Sequence, residues 1–228
     1  MKRNVTLLAL SQAMVITGTS LLLASCALVG MRLTSLKSLA TLPLALLFLS
    51  QMATTIPASL YMQRVGRRSG FMTSAVFGMA GAAIATLGVL KAEFSIFCFG
   101  TVLIGVFNGF GQYYRFAAAE SVPEEYRSRA ISYVLAGGLI AAFAGPNLAR
   151  FSRQLLPEEF AGSYAILIGI YLVALGVAFF LRMPDPGAAG RATGGRPLGE
   201  IARQPAYLVA VASAMVGYGV MNFIMIAT

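Results

Sequence analysis

The sequence predicts an all-α integral membrane protein, and three observations carry that prediction. Hydrophobic residues make up 58% of the 228-residue chain against 11% charged, with a mean hydropathy of +0.78. A soluble domain carries roughly a quarter charged residues; so little charge does not cover a water-exposed surface, whereas a chain dissolved in lipid needs no such cover. Apolar windows of membrane length recur along the chain, and of its 17 basic and 8 acidic residues only Arg115 falls inside one of them.

Seven windows are long enough to cross a bilayer, spanning approximately 5–30, 38–62, 70–90, 94–118, 130–149, 162–181 and 206–228. Each is read as a helix, the only open-chain form that satisfies its own backbone in lipid. The first run has a basic start, an apolar middle and "LASC" ending at Cys26, which looks like a lipoprotein signal. The chain continues apolar as "ALVG" and six further windows follow, so the run is read as a retained first span.

The breaks organise the spans into domains. Residues 182–205, "RMPDPGAAGRATGGRPLGEIARQP", are rich in Gly, Pro and Arg and read as a flexible linker. The prediction is a six-helix bundle over 1–181, a cytoplasmic linker over 182–205, and the first helix of a second, truncated bundle over 206–228. The last span reaches Thr228 without a polar stop or charged anchor, so a fragment or a truncated gene product is expected. With the N-terminus inside, inner segments hold 11 Lys and Arg and outer segments 5, a bias that places the N-terminus in the cytoplasm.

Several function classes fall away. The net charge of +9 would suggest nucleic acid in a soluble protein, but no basic stripe interleaved with exposed aromatics exists. Cys26 and Cys98 lie in apolar runs without ligand-type spacing, and the chain has no histidine, so buried free thiols and no metal site are expected. No Asp, Glu or His occurs within a span, which removes the clusters an intramembrane enzyme needs and leaves no catalytic residue to assign. The same absence leaves no usual proton carrier here. No cofactor is expected.

Two cytoplasmic breaks carry a pattern. "SLYMQRVGRRSG" joins spans two and three with Ser59, Gln63, Arg64, Gly66, Arg67 and Arg68. Gly66 allows a sharp turn, and arginines hold a loop at an anionic membrane face and pair with carboxylates. "AAAESVPEEYRSRAIS" follows span four with Glu120, Pro123 and Arg127. Proline stops a helix, and the flanking acid and base can close a network with the first loop's arginines. The two loops resemble the G-x-x-x-D-R-x-G-R-R and E-x-x-P-x-x-x-R signatures of the major facilitator superfamily of secondary transporters, with Ser59 and Gln63 in place of the family's Gly and Asp. In that family the Asp helps latch the two bundles; Gln63 can keep a hydrogen bond there but no ion pair. A third segment in span five, with Gly137, Gly138, Gly145 and Pro146, partly resembles the glycine–proline signature of antiporter branches, and equally suits generic close packing and a helix bend.

The resemblance implies a major facilitator fold, a small-molecule substrate bound near the bilayer midplane between two bundles, and alternating access. It also implies membrane lipid and the remaining half of the transporter as partners, an inner-membrane location, and possible export or antiport. The alternative is a non-transporting sensor or assembly protein on the same helices. Polar residues inside spans are costly in lipid, so Gln12, Gln51, Asn108, Gln112 and Arg115 are cavity candidates. Asn108, Gln112 and Arg115 fall at i, i+4 and i+7 and predict one helical face. Asn108 is the deeper of these; Arg115, about one turn from the cytoplasmic end, suits snorkelling or the loop network better. Thr17, Thr19, Thr54 and Thr55 are expected in good part to bond back to their own helices.

Overall fold

The computed structural model describes residues 2–152, 155, 158–183 and 204–227. All regular structure among them is helical. In chain order the helices are α1 (Lys2–Leu33), α2 (Leu42–Val65), α3 (Arg67–Leu90), α4 (Phe94–Gly111), α5 (Tyr114–Glu120), α6 (Arg127–Ser152), α7 (Ala161–Phe180) and α8 (Pro205–Ala227). Two short 3-10 turns, Lys37–Leu39 and Glu124–Tyr126, complete the connections. Among the described residues six spans are long and apolar enough to cross a membrane: Arg3–Leu33, Lys37–Val65, Arg67–Leu90, Phe94–Glu120, Glu124–Ser152 and Ala161–Phe180. They match the first six predicted windows.

The chain divides into two compact units, Met1–Pro186 and Gly187–Thr228. The second contains α8, which covers the seventh predicted window. Most of the predicted linker, 184–203, lies outside the described residues, as does Arg153.

Local chemistry explains where the helices break. Gly66 alone separates α2 from α3, with φ 89° and ψ 157°, a backbone region closed in practice to side-chain-bearing residues. Pro43 in the first turn of α2 gives up no hydrogen bond, because that turn's N–H groups have no intrahelical acceptor. Gly109 and Gly111 weaken the end of α4, since glycine is the poorest helix former after proline. The chain turns through Gln112 and Tyr113 before α5 begins, with the Tyr113 N–H donating to Phe110 O at 3.0 Å.

The core of the first unit is aromatic. Tyr114, Tyr164, Tyr171, Phe71, Phe97 and Phe107 are its largest fully buried side chains. They meet in pairs across helices: Phe71 with Tyr114 at 4.4 Å between centroids, Phe97 with Tyr164 at 5.1 Å, and Phe107 with Tyr171 at 4.5 Å. Each pair adds ~0.5–1.5 kcal/mol beyond its area. Large apolar groups also point outward, among them Met52, Ile56, Leu139 and Phe143, as a lipid-facing surface requires.

Candidate functional site

The two signature loops meet at one end of the six-helix unit. The tight turn at Gly66 places Arg67 at the first position of α3, and α5 ends at Glu120. Arg67 donates from Nε to Glu120 Oε2 at 3.0 Å and from Nη2 to Oε1 at 2.5 Å, a bidentate clamp across 53 residues of sequence. Its guanidinium also lies 5.6 Å from the centroid of the Tyr113 ring, and the Tyr113 hydroxyl donates to Thr55 O at 2.7 Å. One arginine thereby joins α3, α5 and, through Tyr113, α2. Arg68 lies over the Phe179 ring at 5.0 Å and ties the same turn to the end of α7.

The other signature residues sit differently. Gln63 and Arg64 are exposed, with no hydrogen bond or ion pair among the described residues, and Ser59 is half-buried. Pro123 precedes the 3-10 turn Glu124–Tyr126. Arg127 pairs locally with Glu124 at 3.5 Å, so the acid of the second loop reaches the first loop's arginines and the base does not. A separation of three positions favours this local pair, because i and i+3 are neighbours on a helical turn.

The expected stripe of span four is interrupted. An i, i+4, i+7 face presumes one continuous helix, and α4 stops at Gly111. Asn108 lies inside α4, Gln112 in the turn and Arg115 in α5. Asn108 is only 1% exposed, and neither its Oδ1 nor its Nδ2 has a hydrogen-bond partner among the described residues. Arg115 Nε and the Tyr171 hydroxyl are likewise buried and unpartnered there, while the Arg115 guanidinium lies 5.0 Å over Phe116. Gln12, Gln51 and Gln112 are half-buried and have no side-chain hydrogen bond among the described residues. Thr17, Thr19 and Thr55 donate to backbone carbonyls of Ala141, Val15 and Gln51.

The glycines of span five lie against α1. A Cβ at Gly137 would sit 3.0 Å from Ala9 O, and one at Gly138 3.1 Å from Ile16 Cγ1. One at Gly145 would sit 2.8 Å from Thr17 O and 2.5 Å from Ser20 Cβ. Pro146 follows within the unbroken α6, exposed on its surface.

Sequence reasoning missed a second tie at the clamp's end of the unit. Asn4 Nδ2 donates to Arg182 O at 2.5 Å, and the Arg182 N–H donates back to Asn4 Oδ1 at 3.4 Å, which caps the exit of α7 with the start of α1. No local pattern signals a contact across 178 residues. At the other end Arg32 pairs with Glu159 and lies 5.7 Å over Phe160.

The sequence profile of the Major Facilitator Superfamily matches residues 7–228. The chain belongs to the major facilitator superfamily. The family is one of membrane transport proteins. It is 39% identical over 231 residues to the riboflavin transporter RfnT of Brucella anthropi, covering 99% of this chain and 58% of that protein. It is 24% identical over 165 residues to the uncharacterized MFS-type transporter YdeG of Bacillus subtilis, covering 70% of this chain and 38% of that one. The chain thus spans well under two thirds of the curated relatives it matches. The crystal structure of the E. coli fucose:proton symporter FucP superposes with a TM-score of 0.65 at 14% identity, over 87% of this chain and 55% of that one, which places both in one fold.

Proposed function

We propose that the chain forms the first bundle of a permease that carries a flavin-like, planar heteroaromatic solute by alternating access, completed by a second bundle. The 39% identity to a riboflavin transporter across 99% of the chain carries this reading. A carrier of this type moves as rigid bundles around a central site. The clamp of Arg67 on Glu120, the Arg68–Phe179 contact and the Asn4–Arg182 tie are the kind of cross-links that keep one end of a bundle rigid. The amides of Gln12, Gln51 and Gln112, half-buried along three spans, offer both donors and acceptors. A flavin ring edge and its hydroxylated side chain present the complementary groups. The excess of Lys and Arg at the end bearing the clamp supports a cytoplasmic N-terminus in a bacterial inner membrane.

The test is flavin flux by the protein with its second bundle in liposomes, read by flavin fluorescence in either direction. Saturable, flavin-selective flux supports the proposal. Folded protein that moves other solutes but no flavin removes the flavin class.

A further inference from the structure

A crevice of ≈ 730 Å³ opens between the start of α1 and the start of α6, at the same end as the clamp. It is lined by the apolar Val5, Ala9, Val122 and Ala130, by Thr6, and by Tyr126, Arg129 and Tyr133. The volume falls within the range of sites for small organic ligands. Tyr126, Arg129, Ala130 and Tyr133 recur at spacings of three and four residues, so the turn Glu124–Tyr126 and the first turns of α6 present them on one side. Tyr126 and Tyr133 are 43% and 67% exposed, which leaves surface on each for a ligand. Arg67, Arg68 and Arg127 are each engaged by a carboxylate or a ring, whereas Arg129 has no hydrogen bond, ion pair or ring contact among the described residues. The crevice shares no residue with the clamp or with the cavity candidates of spans one, two and four.

We propose that this crevice is a second solute station, which holds a planar heteroaromatic ring between Tyr126 and Tyr133 and an anionic or polyhydroxyl tail on Arg129. Aromatic rings stack a flat, electron-poor heterocycle without demanding one hydrogen-bond pattern. A free guanidinium favours an anion, and a phosphate most, because its planar fork of donors matches two oxygens. The predicted preference is therefore for a phosphorylated flavin over the neutral one. The ligand class rests on the flavin reading above; the location rests on the crevice itself.

The test is a fluorescence-quenching titration of the protein in nanodiscs of neutral lipid, with riboflavin and with its 5′-phosphate as probes. Tyr133→Ala is expected to weaken both probes roughly 3- to 10-fold, as loss of one stacking partner implies. Tyr133→Phe keeps the ring and is expected to match the wild type, which separates stacking from misfolding. Arg129→Ala is expected to weaken the phosphate ester roughly 5-fold or more and riboflavin little, as loss of a charge-assisted bond implies. Wild-type flavin flux with both Ala variants titrating like the wild type overturns the crevice site and leaves the transport reading standing. Binding of neither flavin by wild-type protein that transports another solute overturns the flavin class and this occupant together. If Arg129→Ala changes only the response to added anionic lipid, the arginine is a lipid anchor and the solute station is refuted.

Discussion

Removing the Arg67–Glu120 clamp tests whether the two loops act as one unit. The two hydrogen bonds measure 3.0 and 2.5 Å, but the side chains are 23% and 51% exposed, so solvent screens part of the attraction. Exposed pairs contribute roughly 0.2–1 kcal/mol, and bidentate geometry raises this one to the top of that range, about 1 kcal/mol. Arg67→Ala also removes the cation from the Tyr113 ring, ~0.5–1 kcal/mol at an exposed site, for a total of about 1.5–2 kcal/mol. At roughly 2–4 °C per kcal/mol for a chain of this size, Arg67→Ala is expected to lower Tm in detergent by about 3–8 °C and Glu120→Ala by about 2–4 °C. Because Glu120 acts through Arg67, the double variant is expected to melt where Arg67→Ala alone does. Arg64→Ala, which removes an exposed arginine without a partner among the described residues, is the control and is expected to leave Tm unchanged. A double variant that loses the sum of the two single effects would refute the clamp.

Three further outcomes follow from particular positions. Gly66→Ala forces a side chain into a glycine-only backbone region and is expected to cost ~1–3 kcal/mol in thermal denaturation, whereas Gly169→Ala, where a Cβ would meet nothing within 4 Å, is expected to be neutral or stabilising. Gly145→Ala drives a methyl into Thr17 and Ser20 of α1, and an overpacking cost of ~1–3 kcal/mol with loosened α1–α6 contact is expected, checked by Tm and by cross-linking between the helices. In a background with Cys26 and Cys98 replaced, Asn108→Cys is expected to resist a water-soluble thiol reagent while Gln51→Cys reacts, since Asn108 is sealed in the bundle; rapid labelling at 108 would show that the amide faces an aqueous cavity.

Most of the fold was legible because lipid leaves a chain few choices. A run such as 70–90, with its charges confined to the flanking breaks, reads as a spanning helix on length and composition alone, and α3 covers it. Gly66 was legible for a similar reason: one glycine between two apolar runs must carry the whole turn, and its positive φ does so. The site was harder. The break of span four at Gly111 follows from glycines whose effect depends on what packs against them, here Thr54 and Val15, and period counting does not see that. Burial of Asn108 was equally hidden, because in a membrane both the lipid-facing and the inward-facing sides of a helix are apolar, so the pattern does not tell which side a lone amide takes. The Asn4–Arg182 tie joins residues 178 apart in sequence and has no local signature at all.

The proposed carriage of flavin-like solutes is tested most directly by counterflow of riboflavin in liposomes holding the protein with the proposed second bundle. Saturable exchange of external for internal riboflavin is expected, competed by other planar heteroaromatic solutes. Sharply slower exchange is expected for the joint replacement of Arg67 and Arg68 by Ala, with insertion and orientation unchanged. Exchange no faster than in protein-free liposomes, by protein shown to be folded and inserted, would contradict it.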